Sequence, residues 1–260
     1  MSNPKKAAVG FIFITILIDV MGFGIIIPVV PQLLQQLLHV TDRTNISAIS
    51  QPAIFLTLIY GLTQFVFAPI LGSLSDRYGR RPVLLFSLLG FGLDYIFLAF
   101  APTIGWLFIG RMIAGITGAS ITTATAYMAD ISNEKNRAQN FGMIGAAFGL
   151  GFIIGPMLGG LLGELGTRIP FLVAAGLALV NALYGYFILP ESLDMEHRRS
   201  FDIKRANPVV SLLKLKKYPA VLGLVASLLL IYLAAHSVQS NWSFANINKF
   251  GWTPKMIGIS

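Results

Sequence analysis

The chain has no cysteine. That excludes a disulfide framework, thiol catalysis and any metal site built on cysteine ligands. Histidine is nearly as scarce. His39, His197 and His236 are scattered, at no spacing that would ligate zinc. Charge is sparse too: Asp, Glu, Lys and Arg make up 12% of 260 residues, where a soluble domain carries about 25%. No nucleophile–base pair or phosphate-cradling loop is legible, so an enzyme is not expected. The glycines of GFGLD and GITGAS follow no predicted strand, and they read as helix-packing glycines rather than nucleotide-binding turns.

What stands in place of charge is apolar surface. Apolar residues make up 55% of the chain and the mean hydropathy is +0.73, the composition of an integral membrane protein. The net charge of +8 would suit a nucleic-acid binder. Its basic residues, however, sit in short connections between apolar runs, a positive-inside pattern rather than a basic face, so no nucleic-acid partner is expected. Two lysines precede the first apolar run, as in a signal peptide. The run continues past a typical signal core and has no clear A-x-A site, so it reads as an uncleaved first span.

A helical span needs roughly 20 apolar residues. Candidates are residues 8–30, 53–73, 83–101, 104–129, 140–163, 169–189 and 220–240, with a further one beginning at Lys255. With the N-terminus in the cytoplasm, fourteen basic residues fall inside: Lys5, Lys6, Arg77, Arg80, Arg81, Lys135, Arg137, Arg198, Arg199, Lys204, Arg205, Lys214, Lys216 and Lys217. Only Arg43, Arg168, Lys249 and Lys255 fall outside, which sets the expected orientation. The polar stretch between the sixth and seventh runs divides the chain into an N-terminal six-span bundle (1–189), a cytoplasmic linker (190–218) and the start of a second bundle (219–260).

The densest charge is the segment 72–81, GSLSDRYGRR, which marks a cytoplasmic turn. Residues 72–82 align with 160–170 through Gly, Leu, Asp/Glu, Arg and Pro at constant offset. One copy is cytoplasmic and the other external, as an inverted three-helix repeat requires.

Ionisable residues within spans are costly and commonly functional. From the helical rise, Asp19 lies roughly 16 Å and Asp94 roughly 18 Å from the cytoplasmic side. Arg111 lies roughly 10 Å in from the outside, and Gln64 and Asn181 roughly 16–18 Å from their external ends. Five polar side chains thus approach one midplane layer, where secondary transporters bind substrate and coupling ions. The plainer readings are that Arg111 pairs with Asp94 to hold the bundle, and that Gln64 and Asn181 are interhelical hydrogen-bond glue. Asp19 has no basic partner at its depth except Arg111, and a desolvated carboxyl there suits reversible protonation. In the fifth span Gly151, Gly155 and Gly159 recur every fourth residue, beside Pro156, Gly160 and Gly163. They bare a face for close backbone approach, and Gly-Pro in mid-span predicts a kink.

These segments resemble the major facilitator superfamily: GxLxDRxGRR at 72–81, Arg111 followed by GITGAS, and GxxxGPxxGG at 151–160, the last similar to drug:proton antiporters. LIDVMGFGIIIPVVP around Asp19, GLDYIF around Asp94, YMADISNEKNRAQNFG and LPESL resemble the tetracycline-efflux (TCR/Tet) branch. The resemblance implies an all-α integral membrane fold: the six-helix N-terminal half of a major facilitator bundle, made of inverted three-helix repeats, plus one further span. It implies a multi-pass protein of the bacterial cytoplasmic membrane. It assigns transport roles to Asp19 and Asp94 and proton coupling to Arg111. Gly72, Asp76, Arg77, Gly79, Arg80 and Arg81 become a cytoplasmic gate, and the helix of Gly151, Gly155, Pro156, Gly159 and Gly160 a barrier to leak.

The activity that the resemblance implies is proton-coupled efflux of a drug, with tetracycline, as its metal chelate, the expected substrate. The partners are lipid, protons and the drug, and magnesium enters only within a drug chelate, no cofactor being expected. The alternatives are export of another hydrophobic drug or metabolite, or a non-transporting half-bundle. The family has twelve spans in two halves, so this chain is expected to be truncated and to need the missing C-terminal half for transport.

Overall fold

The computed structural model describes residues 4–41, 47–214 and 217–260; Arg43 and Lys216, used above for orientation, lie outside the described residues. The described residues contain helices and no strand. Seven of the helical runs are long and apolar enough to cross a membrane: Ala8–Ile26, Ala48–Tyr78, Arg80–Phe100, Ile104–Ile131, Arg137–Leu165, Ile169–Ile188 and Val221–Phe250. Each was expected from hydropathy.

The differences from expectation have local causes. Helix α1 (Pro4–Ile26) ends before Val30, and a short α2 (Val30–Leu37) follows. Pro28 cannot donate a backbone hydrogen bond, so the chain tightens into a turn in which the amide of Ile27 donates to Gly24 at 3.2 Å. Helix α3 (Ser47–Tyr78) has 32 residues, about 48 Å at a rise of 1.5 Å per residue, which exceeds a hydrocarbon core of roughly 30 Å. Helix α4 (Arg80–Phe100) follows after the single residue Gly79. The fourth span is two helices, α5 (Ile104–Thr117) and α6 (Ser120–Ile131), parted at Gly118. Helix α7 (Arg137–Leu165) runs through Pro156 as one helix, and α8 (Ile169–Ile188) completes the first six spans.

The linker is built rather than bare. It holds a 3-10 turn at Met195–His197, then α9 (Ile203–Ala206) and α10 (Pro208–Lys214). Helix α11 (Pro219–Phe250) stands apart, with Ser243, Asn246 and Ile247 its buried residues. The Ser243 hydroxyl donates to the Ile27 carbonyl at 3.1 Å, which ties the far end of α11 to the break after α1. Helix α12 (Pro254–Ile259) is capped by Thr253, whose hydroxyl accepts from the amide of Met256 at 3.4 Å, and it packs on α7.

The packing order follows the repeat. Helix α1 lies along α7 as α5 lies along α3, and α4 lies along α8. Both repeat turns pivot on a glycine: Gly79 (φ 108°) after α3 and Gly166 (φ 158°) after α7. Arg168, the counterpart of Arg80, donates to the carbonyls of Ala99 at 2.7 Å and Ala101 at 2.8 Å, closing the C-terminal end of α4.

Candidate functional site

Asp94 lies on the buried face of α4 with Ser87, Phe91 and Leu98, spaced at helical intervals. Its carboxylate accepts from the guanidinium of Arg111 on α5. The two side chains are 1% and 13% exposed, so this pair is closed off from solvent. Gly110 makes the approach possible, because a Cβ there would come within 2.8 Å of the Asp94 Oδ1. On the other side, the Arg111 guanidinium lies 5.8 Å from the ring centroid of Tyr60 of α3. The pair keeps unspent capacity: Asp94 Oδ1 and Arg111 Nε have no partner.

Asp19 stands separately on α1. It is 5% exposed and faces Ser120 at the start of α6, and its Oδ2 has no partner. Arg111, which could have served either aspartate, serves Asp94. Gln64 of α3 donates through Nε2 to the carbonyl of Gly118 at 3.0 Å. That carbonyl is released where α5 ends, so Gln64 satisfies the backbone at the broken span. Asn181 of α8 donates to the Thr15 hydroxyl of α1 at 3.2 Å. Thr15 is one turn before Asp19 on α1, so Asn181 lies about one turn from the level of Asp19.

A second cluster occupies the turn at 72–81. Arg80 binds Asp76 at 2.6 Å, Asp130 of α6 at 3.1 Å and the Ser75 hydroxyl at 2.8 Å. The carboxylate of Glu191, just past α8, accepts from the amides of Arg80 at 2.8 Å and Arg81 at 3.2 Å, and from Ser192 and Leu193 as well. An anion at the first amides of α4 is stabilised by unpaired N–H groups and by the helix dipole. Gly79 is required by the backbone, its φ of 108° lying in the left-handed region, while a Cβ there would meet only the movable tip of the Glu191 side chain. Arg81 donates to the Tyr186 carbonyl of α8. Arg77 is exposed and lies over the ring of Tyr78. Asp76, Arg80, Asp130, Asp194, His197 and Arg199 surround a cavity of about 420 Å³, and the Arg199 amide donates to the Asp76 carbonyl at 3.0 Å. A Cβ on Gly72 would meet nothing within 4 Å, so α3 is open at that residue, whereas Asp76 is engaged by Arg80 and Arg199.

The glycine helix has two packed faces. Gly151, Gly155, Gly159 and Gly163 meet α1 and the turn after it: a Cβ on Gly155 would lie 2.7 Å from the Met21 carbonyl and 2.9 Å from Gly24 Cα. Gly160 turns to α12, where a Cβ would lie 2.6 Å from the Pro254 carbonyl. Pro156 serves both, its ring meeting Gly24 and its carbonyl meeting Gly258.

Sequence reading passed over Tyr60 and Thr15, and held Ser120, Asp130 and Glu191 only as letters in GITGAS, YMADISNEKNRAQNFG and LPESL. Asp130 ends YMAD at a span boundary, a signal that could have paired it with the arginines of the turn. Ser120 and Thr15 are small hydroxyls in apolar runs and carry no such mark.

The description "Major Facilitator Superfamily" matches residues 12–260. The tetracycline resistance protein, class C, of Escherichia coli is 41% identical over 95% of this chain, which covers 60% of that protein. The class B protein of Escherichia coli is 37% identical over the whole chain, which covers 62% of it. The crystal structure of the human organic anion transporter MFSD10 (TETRAN) superposes with a TM-score of 0.77 at 24% identity, over 99% of this chain and 70% of that one. The chain thus spans about 60% of the length of the curated relatives it matches. With seven apolar spans, the three signature segments and a family match over nearly its whole length, the chain belongs to the major facilitator superfamily.

Proposed function

We propose that this chain supplies the proton-handling half of a drug exporter of the inner membrane, with tetracycline as its metal chelate the favoured substrate. The observation that carries the reading is Asp19: a buried carboxyl with an unpartnered oxygen, one helix away from a closed Asp94–Arg111 pair. A carboxyl that has lost its water and found no cation changes protonation with its surroundings. Asp19 is the residue that exchanges a proton. Arg111 couples that exchange to substrate by dividing its donors between Asp94 and whatever enters beside Tyr60. Gln64 and Asn181 hold the helices that border the pathway. Magnesium takes part as cargo, within the chelate, and the protein needs no cofactor of its own.

The turn at 72–81 acts as the cytoplasmic gate. Gly72 presents the open face on which a second half-bundle closes, with the partly exposed Asp76 held by Arg80 beside it; Gly79 sets the turn, and Arg80 and Arg81 fasten it to α6 and α8 with Arg77 at the surface. The face of Gly151, Gly155, Pro156, Gly159 and Gly160 seals α7 against its neighbours. The excess of basic residues at the linker end puts the N-terminus in the cytoplasm. Alternating access is one half rocking on the other, so transport belongs to the assembly of two halves.

The test is proton release from everted vesicles that carry the full open reading frame. Adding tetracycline with magnesium should release protons from the vesicle lumen, and Asp19→Asn should abolish that release. Release that survives Asp19→Asn would overturn the assignment. Release evoked by an unrelated hydrophobic drug but not by tetracycline would favour export of another compound.

A further inference from the structure

Below Asp19 the half-bundle contains a run of buried oxygens that the proposed pathway does not use. Ser87 of α4, Thr123 of α6 and Asn181 of α8 are 0%, 2% and 2% exposed. Ser87 Oγ, Thr123 Oγ1 and Asn181 Oδ1 each lack a partner, as does Asp19 Oδ2. Buried polar atoms are almost always paired, so four orphans in one region ask for an explanation.

The helix registers bring them together. On α4 and the fourth span, Gly110 lies against Asp94 and Gly90 against Thr117. The next turn therefore sets Ser87 level with Ser120, the residue that faces Asp19. On α1 and α8, Gly185 lies against Phe11 and Asn181 bonds Thr15, one turn further along each helix. Thr15 is one turn from Asp19 on α1 and Thr123 one turn from Ser120 on α6, and the four helices pack as neighbours, α1 and α4 each against α6 and α8. Thr15, Ser87, Thr123 and Asn181 thus lie in a layer within about one helical turn of the level of Asp19. Toward the linker it ends at Tyr127, fully buried, whose hydroxyl donates to the Pro190 carbonyl at 2.8 Å.

Every orphan in the layer is an oxygen, and the hydroxyls can donate as well as accept. Water is the occupant that satisfies such a set, since a buried water makes about three hydrogen bonds to groups otherwise unpaired. We infer that Thr15, Ser87, Ser120, Thr123 and Asn181 hold ordered water and form a proton route from the linker end to Asp19, inside the half-bundle. The inference rests on the reading of Asp19 as the proton-exchanging residue. The ionisable groups around Asp19 are Tyr60 of α3 and Tyr95 of α4, with Asp94 held by Arg111. Tyr127 of α6 stands at the foot of the layer, and the face of α7 against α1 is glycine.

The experiment is infrared difference spectroscopy of the full chain in lipid vesicles after a pH jump. The protonated-carboxyl band lost in Asp19→Asn marks the proton site; no such band would overturn the function proposed for Asp19. With the band present, Ser87→Ala/Thr123→Val should retain it at equilibrium but slow its appearance roughly tenfold, the effect of one lost relay hydrogen bond. An unchanged rate would overturn the route while leaving Asp19 as the proton site. In the unaltered chain, a confined-water O–H band that shifts in water enriched in heavy oxygen is expected, and its absence would overturn the route without any variant having to fold. Exchanging sodium for potassium should leave that band unmoved; a shift would assign the layer to a cation instead.

Discussion

The side-chain amide of Gln64 reaches from α3 to the carbonyl of Gly118, at 3.0 Å, where the fourth span breaks into α5 and α6. Two residues further on, Ser120 faces Asp19. Gln64 therefore holds the break that delivers a hydroxyl to the buried carboxyl.

Gln64→Leu keeps the bulk and removes the donor. The Gly118 carbonyl is then left unsatisfied, at a cost of about 1–3 kcal/mol. Thermal unfolding in detergent, followed by tryptophan fluorescence, should show a lower midpoint. A midpoint equal to that of the unaltered chain would mean that the break is held by other contacts.

The Asp94–Arg111 pair yields a cycle. Removing one partner leaves a buried charge alone, worth about 3–5 kcal/mol. Asp94→Asn and Arg111→Gln should each be strongly destabilising. The double variant should cost clearly less than the two together, because no uncompensated charge remains. Strictly additive losses would show that the side chains act through separate contacts.

How much of this was legible beforehand depends on whether a feature is local. Span positions follow from hydropathy, and the turn at 72–81 from its charges, because both are properties of short runs. The partnership of Asp94 and Arg111 could be named as one option, since oppositely charged residues in adjacent spans have few partners. The break at Gly118 was hidden. GITGAS reads as packing glycines, and the residue that lets the helix stop, Gln64, lies 54 positions away. The partner of Asn181 was hidden for a related reason: its register against α1 is set by Gly185 meeting Phe11 and Leu85, which a count from the span end does not record. The capping of α4 by Glu191 joins residues 111 apart, and no pattern of either segment alone announces it.

Glu191 allows a graded comparison. Glu191→Gln keeps an acceptor for the first amides of α4 but loses the charge that the helix dipole favours, about 0.3–1 kcal/mol. Glu191→Ala loses the cap as well, about 0.5–2 kcal/mol. Trypsin cleavage at Arg198 and Arg199 should speed up in the same order, because the same carboxylate binds the amides of Ser192 and Leu193 and so anchors the start of the linker. Equal cleavage rates in both variants would place the anchor elsewhere.

The glycines of α7 separate packing from propensity within one helix. Gly149 and Gly155 differ in what a methyl group would meet: nothing within 4 Å at Gly149, but the backbone of Met21 and Gly24 at 2.7 and 2.9 Å at Gly155. Gly149→Ala should be neutral or stabilising by up to about 1 kcal/mol, the difference in helix propensity. Gly155→Ala must push α1 away from α7, and because backbone rather than a side-chain tip is struck, it should cost about 1–3 kcal/mol. The pair is measured by thermal unfolding under one condition. Equal midpoints would mean that α1 and α7 tolerate separation, and the reading of that face as a seal would fail with them.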